Sequence, residues 1–281
     1  MFKSPKKRLR RDPESHKGQN GKVLIVGGSM EYHGAPIFSA LGALNSGVDL
    51  VYMAVPEVNF EVTRNAAPDF IVRKYAGEYL NTRAVELILG LAHKVNVVVI
   101  GPGLGDRPEV LRVVKNLVES LDIPIILDAG AIQVLEMIDK FPLKNTVIIT
   151  PHHYEFEKLI GKPFKVNDPA PHKTRLIRTL ATDLKLNILL KGPIDIIASE
   201  KGEIEENDTG NAGMTVGGSG DVLAGVVAGL IAQGLSPFDA CAAAAYSLGK
   251  AGDKLLKTKG YCYTSTDLAM ELPYVIRDLI D

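Results

Sequence analysis

Five short apolar runs rich in β-branched residues recur along the chain: KVLIVGG (22–28), VDLVYMAV (48–55), VNVVVIG (95–101), IPIILDA (123–129) and NTVIIT (145–150). They are continuous rather than alternating, the pattern of strands covered on both faces. Between them lie segments such as Thr82 to His93 and Pro108 to Leu121, whose apolar residues return at helical spacing. Strand and helix in alternation predict βαβ units, an α/β fold with a mostly parallel sheet and helices on both sides. NILLKGPIDIIAS (187–199) departs from this pattern. Only Lys-Gly-Pro separates its two strand-like runs, too little for a crossover helix, so it predicts an antiparallel hairpin at one side of the sheet.

At 281 residues and 46% hydrophobic content, the chain suits one large domain, read from residue 20 to 281. Residues 1–19, with the basic run KSPKKRLRR (3–11), are expected to form a flexible N-terminal arm, since no aromatic interleaving or following apolar segment accompanies the charges. A formal net charge of −1 supplies no global field toward nucleic acid or a membrane, and neither is expected as a partner. The chain shows no apolar core of a signal peptide and no window of about 18 uninterrupted apolar residues. Cys241 and Cys262 form neither a disulfide framework nor a CxxC pair, which suits a reducing compartment. A cytoplasmic location is the expectation.

In parallel sheets ligands bind beyond the carboxyl ends of the strands. Here those ends read GGSMEYHGAP, GPGLGD, DAGAI, TPHHYE and, inside the hairpin, KGPID. The densest feature is NAGMTVGGSGDVLAGVVAGLIAQG (211–234). Its apolar residues from Val222 follow one buried helical face, so a helix is expected to begin between Ser219 and Asp221 and to stop near Gly234. Unpaired amides and the positive end of the helix dipole would make that start a phosphate site. Asp221 has two readings. It is a cap for the helix, or, since it cannot itself bind a phosphate, a base that takes a proton from a hydroxyl attacking one.

At these residues the sequence resembles the ribokinase-like superfamily and, within it, the NAD(P)H-hydrate dehydratases, which return hydrated nicotinamide cofactors to usable form. The resemblance runs from HKGQNGKVLIVGGS (16–29) through YHGAP, GPGLG, ILDAGAI, TPHHYEF and LLKG to the 209–234 segment beginning TGNAGM. It implies a three-layer α/β/α ribokinase-like fold and a nucleotide phosphoryl donor, ADP in most bacterial and archaeal members and ATP in eukaryotic ones. Mg²⁺ and a homo-oligomer, a homotetramer or larger, are implied with it. An epimerase domain often precedes this one in the family, and the N-terminal stretch is expected to be too short to hold it.

Carried over residue by residue, the resemblance implies Asp221 as the base. It implies Ala35, Gly103 and His152 beside the hydrated NADH or NADPH. Lys191, Gly192, Pro193, Ile194 and Asp195 would lie against the nucleotide, with the amides of Gly218, Ser219 and Gly220 on the transferring phosphoryl. Glu155 and Asn211 would organise Mg²⁺ through water. Each has a plainer alternative: a turn glycine for Gly103, a helix cap or surface residue for His152, an exposed strand-end lysine for Lys191. Three departures stand out: Gly130 for a second aspartate in DAGAI, His153-Tyr154 for Pro-Gly, and Leu248-Gly249-Lys250 for a His-Gly pair. The rivals are a small-molecule kinase of the same superfamily, of hydroxyethylthiazole or sugar type, and a non-catalytic nucleotide-binding module. Gly218→Val is expected to block phosphoryl binding while sparing the fold.

Overall fold

The computed structural model describes residue 9, residues 11–165 and residues 169–280. Its strands are β1 (Lys22–Val26), β2 (Leu50–Pro56), β3 (Phe70–Tyr75), β4 (Val97–Ile100), β5 (Ile125–Leu127), β6 (Val147–Ile149), β7 (Asn187–Leu190), β8 (Asp195–Ala198) and β9 (Ile204–Asn207). They make one sheet in the order β3-β2-β1-β4-β5-β6-β7-β8-β9. Pairing is parallel from β3 to β7 and antiparallel from β7 to β9. The hairpin expected at 187–199 is present, with Leu189 opposite Ile197. β9 extends it by one strand.

Two strands escaped the sequence pattern, and both are edges. β3 (FIVRKY) exposes Arg73 and Lys74, and β9 (IEEN) carries two glutamates. Charge on an edge discourages pairing with another chain and erases the apolar run that marks a central strand. The central strands are buried on both faces. Ile25, Val99, Ile126 and Ile148 join one core cluster, while Leu24, Val98, Ile125 and Ile149 join the other.

Helices cover both faces: α1 (Gly34–Asn45), α2 (Phe60–Ala66), α3 (Val85–Ala92), α4 (Pro108–Ser120), α5 (His153–Ile160), α6 (Ala170–Leu184), α7 (Ser219–Ala232), α8 (Pro237–Lys259) and α9 (Ser265–Ile280). α1, α7, α8 and α9 contribute to the first cluster; α3, α4, α5 and α6 contribute to the second. This is the three-layer α/β/α arrangement. No helix among the described residues is long and apolar enough to cross a membrane.

Of the expected flexible arm, residues 1–8 and 10 lie outside the described residues. The rest of it is tied to the domain. Leu9 is buried in the core, Arg11 pairs with Asp49 at 3.5 Å, and the amide of Gly18 donates to the same carboxylate at 2.7 Å.

α1 and α7 cross with their backbones in contact. A Cβ on Gly42 would overlap the Val222 carbonyl, and one on Gly225 would overlap the Ser39 carbonyl. Gly90 of α3, in contrast, has open space where its Cβ would be. Gly225→Ala is therefore expected to lower stability by about 1–3 kcal/mol through overpacking. Gly90→Ala is expected to raise it by about 0.4–1 kcal/mol, as a helical glycine replaced without clash. Urea unfolding of the two variants measures both, and equal midpoints would contradict the backbone contact.

Candidate active site

β5, β6 and β7 are neighbours, and the residue that follows each is polar. Asp128 follows β5, Thr150 follows β6 and Lys191 follows β7. The ladders continue past the strand ends. The amide of Thr150 donates to Leu127 O, that of Lys191 donates to Pro151 O, and His152 bridges to Lys191 in parallel. The three side chains consequently meet. Asp128, buried, accepts from Thr150 Oγ1 at 2.7 Å and from Lys191 Nζ at 3.0 Å.

Lys191 points at the start of α7, where a Cβ on Gly220 would stand 3.1 Å from its Nζ. Burial works against the charge of this lysine, but Asp128, Glu155 and Asp221 together hold its ammonium above the usual range. Paired with Asp128 at 3.0 Å and with its side chain 19% exposed, it is not a solvated strand-end lysine.

α7 starts at Ser219, within the expected interval, and Gly218 precedes it in the left-handed region at φ +98° with no side-chain cap. Asp221 sits in the first turn, and its carboxyl makes no hydrogen bond or ion pair with the described residues, so the cap reading finds no side-chain bond to support it. Burial pushes its carboxyl from 3.8 up to about 8, reinforced by the negative charges of Asp128 and Glu155 and opposed by Lys191. A half-buried carboxyl whose pKa is raised toward working pH, beside two residues that line a cavity, meets the electrostatic condition of a general base.

The expected phosphate cradle shifts slightly along the helix. The Ser219 amide donates to Val216 O at 3.3 Å and its hydroxyl to Met214 O at 2.7 Å, so both face their own loop. Helix geometry leaves the amides of Gly220 and Asp221 without an earlier carbonyl to meet. The expectation for Gly218→Val needs correcting. At φ +98° a branched residue is strained, and its Cβ would stand 2.6 Å from the Phe38 ring. That substitution would damage the helix start itself, and it cannot isolate phosphate binding.

A cavity of about 650 Å³ opens beside this turn. Lys191, Gly192, Pro193, Asp195, Ser219 and Gly220 line it, with an apolar side made by Met214, Leu223, Ala245 and Leu248. Ile194 and Gly218 are not in the lining, and Ile194 is exposed beyond the hairpin turn. Asp195 closes that turn: it accepts from the Gly192 amide and from Asn207 Nδ2, both at 3.0 Å, and burial raises its pKa.

His152 also lines the cavity, and it is a cap. Its Nδ1 accepts from the amides of Tyr154 and Glu155 at 3.1 and 3.2 Å, while its own amide donates to Glu155 Oε2 at 2.8 Å. With Nδ1 an acceptor, the proton of the neutral ring belongs on Nε2. Asn211 Oδ1 accepts from the Gly213 amide at 3.0 Å and from the Tyr263 hydroxyl at 2.7 Å, leaving Nδ2 buried and unpartnered. What Asn211 has to offer is a donor, the wrong polarity for a hydrated cation.

Ala35 and Gly103 lie outside the cavity lining but against each other. A Cβ on Gly103 would stand 3.2 Å from that of Ala35. Phe38, one turn further along α1, reaches Gly218, so the start of α7 touches both this pair's helix and Lys191. Sequence reasoning missed Asp128 and Thr150 as site residues. An acid closing the apolar run IILD was the available signal for Asp128, but its pairing with Lys191 needed the strand order.

A family model described as NAD(P)H-hydrate dehydratase matches residues 23–274. The chain belongs to the NAD(P)H-hydrate dehydratase family. It is 43% identical over 268 residues to the ADP-dependent (S)-NAD(P)H-hydrate dehydratase of Cenarchaeum symbiosum, covering 94% of this chain and 91% of that relative. It is 36% identical over 282 residues to the bifunctional NAD(P)H-hydrate repair enzyme of Methanothermobacter thermautotrophicus, covering 98% of this chain but 54% of that one. The chain therefore spans about half the length of the bifunctional relative. Among solved structures, the ADP/ATP-dependent NAD(P)H-hydrate dehydratase of Bacillus subtilis, co-crystallised with ATP and Mg²⁺, superposes with a TM-score of 0.82. The two are 28% identical, with 96% of this chain and 94% of that one covered.

The raised pKa of Asp221 has a consequence for stability in this member of the dehydratase family. Folding favours the protonated carboxyl, so the stability that its raised pKa provides is lost as pH rises from the ordinary carboxylate range through about 8. Asp221→Asn removes that loss. Above pH of about 8 the variant is expected to melt higher than the wild type, and the gap should close toward acid pH. A variant that melts lower at every pH would return Asp221 to the role of helix starter.

Proposed function

We propose that this chain is a nucleotide-dependent NAD(P)H-hydrate dehydratase, a carbon–oxygen lyase of metabolite repair working in the cytoplasm through one domain spanning residues 20–281. ADP is the proposed phosphoryl donor, ATP the second choice. The observation that carries the reading is the half-buried carboxyl of Asp221, raised to about 8, in the first turn of a helix where a Cβ on Gly220 would stand 3.1 Å from Lys191 Nζ. Similarity to an ADP-dependent relative over nearly the whole chain supports the same choice.

In the proposed reaction the hydroxyl on the hydrated nicotinamide ring loses its proton to Asp221 as its oxygen attacks the terminal phosphorus of the nucleotide. Ala35 and Gly103 form the wall against which the ring rests, and His152 Nε2–H reaches the substrate from the cavity side. The amides of Gly220 and Asp221, with Lys191, take up charge on the transferring oxygens. Gly192, Pro193 and Asp195 shape the nucleotide side. The phosphorylated oxygen then leaves with its bonding pair, the ring nitrogen lone pair forms a C=N bond, and loss of a proton from the adjacent carbon restores the C=C bond. Water has been removed at the expense of one phosphoanhydride.

Among the described residues no three His, Cys, Asp or Glu side chains stand close enough to grip a metal directly. Asp128, Glu155 and Asp221 nevertheless outnumber Lys191, a donor set suited to a cation that keeps its waters. Glu155 would hold Mg²⁺ in this way, and Asn211 could assist only with its amide turned over. Bound there, the ion would offset charge on the nucleotide oxygens. We also propose a homotetramer, which light scattering in solution would test.

Hydrated NADH or NADPH incubated with enzyme and each nucleotide in turn is expected to regain the near-ultraviolet absorbance of the reduced ring, with one phosphate released per ring restored. A small-molecule kinase of the same fold would consume nucleotide without that regain, and a binding module would consume none. kcat/KM is expected to fall about tenfold per pH unit below the pKa of the base, here about 8. Asp221→Asn should lower kcat by roughly 10²-fold or more and retain nucleotide binding. Unchanged turnover in that variant would exclude Asp221 as the base.

A further inference from the structure

Asp128 and Thr150 have no direct part in the reaction proposed above, yet they are among the most enclosed polar side chains of the site. Asp128 is 2% exposed and Thr150 fully buried. Enclosing a carboxylate is costly unless its partners are worth that cost. The partners here are one neutral hydroxyl, supplied at the end of the neighbouring strand β6, and one ammonium, supplied at the end of β7 beyond it.

We infer that Asp128 is a positioning residue for Lys191, and that Thr150 fixes Asp128, so that the Lys191 ammonium is held at the first turn of α7 where the phosphoryl group is transferred. The inference rests on the proposed function for the identity of that group. A lysine side chain has four rotatable bonds and delivers a point charge without geometry of its own. In an open cleft it would move among Asp128, Glu155 and Asp221, all of which attract it. The 3.0 Å bond to Asp128 removes that freedom, and Thr150 makes the acceptor immobile in turn. The backbone around Asp128 is also fixed. Its amide donates to Ile100 O at 3.1 Å, and the next residue, Ala129, is held at φ +52°, an unusual conformation for a residue with a Cβ.

A purely structural ion pair makes a different prediction from a positioning pair. If Asp128 only neutralised a buried lysine, its loss would cost stability and leave each folded molecule equally active. If it positions Lys191, its effect on phosphate chemistry must pass through Lys191 and vanish when the lysine is absent. A double-mutant cycle separates the two. Asp128→Asn keeps the shape and an acceptor for Thr150 while removing the charge. It is expected to reduce kcat about 10–100-fold, the effect of misplacing a catalytic group by an ångström or less. Lys191→Met is expected to reduce it about 10²–10³-fold, as for one lost donor to the transition state. The double variant should be no slower than Lys191→Met alone. Thr150→Val should share the defect in weaker form and Thr150→Ser should restore turnover, which keeps the test available if Asp128→Asn does not fold.

The same cycle is run in parallel on ADP and ATP affinity by calorimetry, with the same non-additivity expected. Additive losses, or a Thr150→Ser variant as impaired as Thr150→Val, would overturn the inference. A wild-type enzyme that restores no hydrate with either nucleotide would refute the proposed function, and the positioning role would then stand or fall on the calorimetric cycle alone.

Discussion

The backbone contact between α1 and α7 decides where the site can be. Gly42 and Gly225 each take a carbonyl from the other helix where a Cβ would be, and Gly229 takes the Ser46 hydroxyl. With ordinary side chains at the crossing, helix axes stand about 8–10 Å apart, and the first turn of α7 would retreat from the strand ends. Val222 to Leu230 are all buried, so α7 is a core element whose N-terminus alone emerges at the carboxyl edge of the sheet. That is why so apolar a helix begins with an acid. The core fixes the helix from behind, and its first turn, with Leu223 just beyond it, meets the cavity.

How far the sequence reveals this depends on whether a feature is local. The central strands, the β7–β8 hairpin and the start of α7 are written in continuous segments whose apolar pattern has one structural solution. β3 and β9 are not, because edge strands need charge on the residues that would otherwise mark them. Asp221 was visible because a glycine-rich turn before an apolar helix is itself a local pattern. Asp128 and Lys191 lie 63 positions apart, and their pairing follows from strand order and a ladder that continues past the strand ends. No spacing in the chain encodes it. The cap at His152 falls between these cases. Histidine is not a usual capping residue, yet Glu155 three positions later completes the capping box that a serine or threonine would have announced.

The departures from the family pattern also become physical once the loops are seen together. A Cβ on Gly130 would overlap the carbonyl of Gly105, so the loop after β4 closes onto the position where the resemblance leads one to expect a second aspartate. His153, in place of proline, lies with its ring 5.5 Å from that of Phe164, and a Cβ on Gly192 would stand 2.6 Å from it. The bulk that replaces the turn therefore packs beneath the hairpin that lines the cavity, while Tyr154 beside it is exposed. Leu248 becomes part of the apolar cavity wall. Of these positions Leu248 lines the cavity, and none belongs to the cluster of Asp128, Thr150, Lys191 and Asp221.

What remains is a balance of charge that looks unfavourable for a site meant to take phosphates. Three carboxylates act on a single lysine, and a bare polyanion entering such a cleft would meet more repulsion than attraction. The unpaired amides of α7 and the Lys191 ammonium give attraction at one point only, where the transferring group would lie. Elsewhere the acids disfavour any phosphate that arrives without a counter-charge, which is selection by repulsion as much as by contact. Burial raises the proton affinity of Asp221, and the same neighbouring acids add to it. Bringing positive charge into the cleft with the nucleotide would lower it again, so the substrate that can react is also the one that helps to ionise the base. Binding and activation of the base are then linked through one cluster, in which Asp128 at a strand end and Glu155 and Asp221 in the first turns of α5 and α7 surround one cation.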